Sequence, residues 1–79
     1  MAVVRKLTQH TGRSQRHPTE VDGELRVVRV PGGAVFVQLD TFGSDDRQSD
    51  RKVSQTLQFD RGAAREFRAF IDAVFGPGN

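Results

Sequence analysis

The chain has no cysteine, no tryptophan and no tyrosine among its 79 residues, and only two histidines. Without thiols there is neither a disulfide framework nor a thiolate metal site. No apolar run approaches the ~20 residues of a membrane span, and the N-terminus lacks the continuous apolar segment of a secretory signal. A cytoplasmic protein with no membrane partner is the expectation. His10 and His17, separated by six residues in a polar segment, lack the firm spacing of zinc ligands, so two solvated side chains are the simpler reading. Asp45, Asp46 and Asp50 lack the alternation, central Gly and terminal Glu of a calcium loop. No metal and no cofactor is therefore expected. Ser14, His17 and Asp22 lie in a stretch unable to hold a triad to hydrogen-bond geometry. Gly32-Gly33 is not followed by the helix and Lys-Ser/Thr of a phosphate-binding loop. A core of this size can hardly enclose a pocket, and the chain is not expected to be an enzyme.

What is present is a small core and an uneven charge. Leu, Ile, Val and Phe total 21, above the level of a disordered chain, and 17 of them lie between Leu25 and Phe75. One domain with room for one core follows. Lacking staples, such a domain often gains burial by oligomerising, so a homodimer or tighter assembly is expected. The net charge is +2, with ten of the twelve basic residues Arg. Planar donors favour phosphate or carboxylate, although a GC-rich genome gives the same ratio. Residues 1–19 carry Arg5, Lys6, Arg13, Arg16 and no acid, and residues 20–79 carry −2. The basic character thus belongs to an arm.

The hydrophobic period changes between Lys52 and Pro77. Val53, Leu57 and Phe59 repeat every second position, broken by Gln55, as in a strand with one wet face. After Asp60, residues Ala63, Ala64, Phe67, Phe70, Ile71, Val74 and Phe75 fall on one helical stripe. Asp60 suits the N-cap, Gly76 the left-handed position after the last turn, and Pro77 the stop. Fifteen residues span ~22 Å and are marginal alone, so the Phe-rich face must pack on the sheet. Val3–Gln9 reads as a short first strand, His10–Val21 as a basic loop, and Glu24–Val30 as a strand. Pro31-Gly32-Gly33 turns it into the strand Ala34–Phe42. Gly43–Arg51 has no apolar residue and reads as a solvated connection. The expected architecture is α+β: a four-stranded antiparallel sheet with one C-terminal helix on one face. Residues 1–21 form the arm, 22–76 the domain and 77–79 a tail.

The helix leaves one sheet face open. In the strand Ala34–Phe42 the aliphatic side is Val35, Val37 and Leu39, and the other side interleaves Phe36 and Phe42 with Gln38 and Asp40. Lys52, Ser54, Thr56, Gln58 and Arg26 are expected beside them. Rings, amides and cations over a sheet suit single-stranded nucleic acid, with bases stacking on rings and phosphates meeting Arg and Lys. With equal weight, Phe36 and Phe42 lie in a dimer interface or wrap around the sheet edge into the core. The alternative function is a non-enzymatic protein-interaction module whose sheet edge or Phe face docks a protein partner. Arg61, Arg65, Arg68 and Asp72 share the outer face of the helix, most simply a solvated face, with an acidic partner as the alternative.

Residues 26–75, from Arg-Val-Val-Arg-Val-Pro-Gly-Gly-Ala-Val-Phe-Val-Gln-Leu-Asp through Arg-Lys-Val-Ser-Gln-Thr-Leu to the terminal helix, resemble the family of positive cofactor four. These are single-stranded-DNA-binding transcriptional coactivators with small bacterial relatives. The resemblance implies four antiparallel strands and a helix, with dimerisation through that helix and a DNA channel on the sheets. Here the dimer interface would be Phe67, Phe70, Ile71, Val74 and Phe75. The sheet surface would be Arg26, Phe36, Gln38, Phe42, Lys52, Ser54, Thr56 and Gln58, with Arg5, Lys6, Arg13 and Arg16 adding phosphate contacts. Where the family has Ile-Arg followed by aromatics, this chain has Leu39-Asp40 and Thr41-Phe42. An acid thus replaces a cation, and the arm is expected to supply most of the attraction.

Overall fold

Val-rich alternation and a strongly capped amphipathic segment fold into four strands and one helix: β1 Ala2–Val4, β2 Gly23–Arg29, β3 Val35–Phe42, β4 Val53–Phe59 and α1 Arg61–Phe75. The computed structural model describes residues 1–43 and 52–78. The polar connection after Gly43, with its three aspartates, lies outside the described residues, as does Asn79. The sheet order is β1-β4-β3-β2, and the fold is α+β.

β2 and β3 form the expected hairpin, with Leu25 opposite Leu39 and Val28 opposite Phe36. Its turn holds Gly32 at φ 99° and Gly33 at φ 98°. A side chain would meet nothing at either position, so backbone torsion alone calls for glycine there. β3 pairs antiparallel with β4, and between Thr41 and Phe42 the register skips Ser54.

β1 corrects the expectation of a purely antiparallel sheet, since it runs parallel to β4 with Ala2 opposite Leu57 and Val4 opposite Phe59. Parallel neighbours need a long connection. Here all of β2 and β3 intervene, so β1 and β2 sit on opposite edges. β1 is also shorter than Val3–Gln9. After Val4 the chain leaves the sheet for the helix, where the Leu7 amide donates to Glu66 Oε1 at 3.3 Å.

The helix begins and ends where its capping residues stand. Asp60 is extended, at φ −75° and ψ 177°, and its carboxylate accepts from the Ala63 amide at 2.9 Å. Gly76, at φ 84°, donates its amide to the Asp72 carbonyl at 2.8 Å. α1 rests on the aliphatic face of the sheet, where the Phe59 and Phe67 rings lie 5.7 Å apart.

That packing covers only a corner. Among the described residues the buried apolar side chains are Phe42, Phe59 and Ala63. On the same aliphatic face Leu25 remains 73% exposed and Val27 60%. On the helix stripe Phe67, Phe70, Ile71, Val74 and Phe75 are all exposed, Phe75 by 83%. The chain shows 7208 Å² of surface, against ~4,800 Å² for a compact monomer of this mass. The exposed arm and the uncovered apolar side chains both contribute to the excess.

Candidate nucleic-acid interface

The face away from the helix is built from alternate residues of three strands. Register places Arg26 of β2 beside Gln38 of β3, Gln38 beside Gln58 of β4, and Asp40 beside Thr56. Cross-strand neighbours lie close enough for their side chains to bond directly. The Gln58 amide donates to Gln38 Oε1 at 2.8 Å, and Gln38 Nε2 donates to both Asp40 oxygens at 3.0 Å. Thr56 Oγ1 donates to Asp40 Oδ1 at 2.7 Å, and Arg26 Nε lies 3.3 Å from Asp40 Oδ2.

Asp40 is the hub of this ladder and only 2% exposed. The Thr56 and Gln38 hydrogen bonds, with the Arg26 charge, hold its carboxyl below the ordinary value, against burial, which pushes it up. The charge also fixes orientation. With Gln38 Nε2 turned to the carboxylate, Gln38 Oε1 faces the Gln58 amide. Arg26 is held twice, since Nη2 lies 3.7 Å from Glu24 Oε1. Glu24, Arg26 and Asp40 together carry a net negative charge, so the ladder offers hydrogen bonds rather than attraction to phosphate.

The structure brings Arg26, Gln38, Thr56 and Gln58 together as one surface. Phe36 shares their face at the start of β3 and is half-buried. Phe42 differs: its ring is 5% exposed and is not presented for stacking. Lys52 and Ser54 are exposed near the opposite end of β4 from Gln58. Arg5, Lys6, Arg13 and Arg16 are exposed along the arm. Arg16 pairs with Glu20, which removes one of the arm's free charges.

The role of Asp40 is absent from the sequence reading, which treats it as a lost cation. Setting the polar alternation of β3 against that of β4 in antiparallel order would have placed Thr56 on it. Among the described residues no cluster of His, Cys, Asp or Glu is placed to hold a metal ion. Among them, too, no helix is long and apolar enough to cross a membrane. No protein-family model matches the chain, and no curated protein or solved structure matches it either.

Proposed function

We propose that the chain is a non-catalytic binding protein that assembles as a homodimer and takes single-stranded nucleic acid on the polar face of its sheet. The observation that supports it is the division of labour between the two faces. One is aliphatic and covered by the helix only at a corner, and the other is an ordered row of amide, hydroxyl and guanidinium groups ending in the Phe36 ring. Amides oriented by a fixed charge can meet the edges of unpaired bases, and a ring at the row's end can stack on one of them. DNA, and a role in transcription or DNA maintenance, comes from the resemblance to the family of positive cofactor four.

The aliphatic face and the helix stripe supply the assembly. A standard interface covers ~800 Å² on each partner, well within the excess surface of this chain. Titrating a labelled single-stranded oligonucleotide at two salt concentrations tests the nucleic-acid reading. Binding that weakens steeply with salt is expected, and no binding at low salt removes it.

A second reading rests on the same exposed apolar side chains: a protein-interaction module that docks a different protein there. Phe36→Ser separates the two. Under the nucleic-acid reading it weakens oligonucleotide binding and leaves the dimer intact. Under the alternative, oligonucleotide binding is weak from the start and unchanged.

A further inference from the structure

Between the start of β3 and the first turns of α1 lies an open groove of about 300 Å³. One wall is Arg61, Arg65 and Arg68, and the other is Val35, Phe36 and Val37. Offsets of four and seven put the three arginines on a single stripe, spanning ~10 Å of helix. None of them makes an ion pair among the described residues. Asp60 also borders the groove, but its carboxylate is engaged in capping the helix.

Phe36 belongs to two surfaces at once. Strand alternation places its ring on the polar face with Gln38 and Asp40, and the residue is also among those that line the arginine groove. A ligand on the polar face can therefore continue past this ring to the guanidinium stripe.

We propose that the groove holds the phosphodiester backbone of the single strand whose bases meet the amide ladder. The inference rests on the nucleic-acid reading and supplies what the ladder lacks, because Arg26 is already held by Asp40 and Glu24. Planar guanidinium groups match phosphate oxygens two at a time, and a strand presents several phosphates within ~10 Å. An acidic peptide would meet the same charge but would leave the Phe36 ring without a stacking partner. That ring is what favours nucleic acid.

The test uses the full chain, a labelled oligodeoxythymidine and a salt series. The triple variant Arg61→Gln, Arg65→Gln, Arg68→Gln keeps the helix propensity of the stripe, and a thermal melt verifies its fold. Three lost contacts at ~0.7 each should make the log–log salt slope shallower by about 2. Raising salt from ~50 to ~200 mM then weakens the wild type about 20-fold more than the variant. The single variant Arg65→Gln, should the triple fail to fold, is expected to change the slope by ~0.7. An unchanged slope in folded variants, with the wild type still binding, overturns the groove and leaves the polar face standing. Failure of the wild type to bind at low salt overturns both. Displacement of the oligonucleotide by poly-glutamate at equal charge concentration assigns the stripe to acidic protein and overturns the proposal.

Discussion

Asp40 shows how one carboxylate can organise a sheet surface without being offered to a ligand. It accepts from Thr56 and Gln38, faces Arg26, and through Gln38 sets the direction of Gln58. Because its folded pKa lies below the unfolded value, its contribution is present above the ordinary carboxylate range. It is lost as pH falls through the folded value. Asp40→Asn turns an acceptor into a group with donors facing the donors of Thr56 and Gln38. We expect a lower melting temperature at neutral pH, converging with the wild type as both approach the acid range. Thermal melts across pH check this, and a constant difference at every pH would contradict the assignment. The two phenylalanines of β3 carry the same scale's lesson about sequence. Alternation puts Phe36 and Phe42 on one face, yet the register skips Ser54 beside Phe42, whose ring is buried. Nothing in the local sequence marks that irregularity, because it arises from pairing with a strand brought there by the fold.

At the scale of elements, what was legible follows from how local its chemistry is. The helix was readable to both ends, since Asp60 and Gly76 act on backbone groups within a single turn of themselves. Asp60→Ala should cost ~1 kcal/mol by losing that capping bond, measurable by urea denaturation. The hairpin was readable because Gly32 and Gly33 sit where the backbone needs positive φ. Strand direction was not. A run such as Ala2-Val3-Val4 carries a period but no polarity, so β1 was as compatible with a parallel neighbour as with an antiparallel one. The ladder was half legible: its members were named, but their convergence on Asp40 depends on the β3–β4 register.

For the whole molecule, the decisive quantity is how little one copy covers of itself. Phe70, Ile71, Val74 and Phe75 are exposed on the helix while Leu25 and Val27 are exposed on the sheet. If that stripe pairs two copies as proposed, placing an acid in it, as in Val74→Asp, should leave the strands intact and shift the mass in sedimentation from a pair to a single chain. An unchanged mass would show that the pairing surface lies elsewhere. One more consequence follows from β1. Among the described residues, its three residues are all that flank β4 on its outer side, along a strand of seven. Trimming the first four residues would leave that border as a bare template for a neighbour's backbone, inviting runaway stacking of chains. The N-terminal strand would then limit such pairing, and light scattering of the trimmed chain at rising concentration should reveal larger assemblies than the full chain forms.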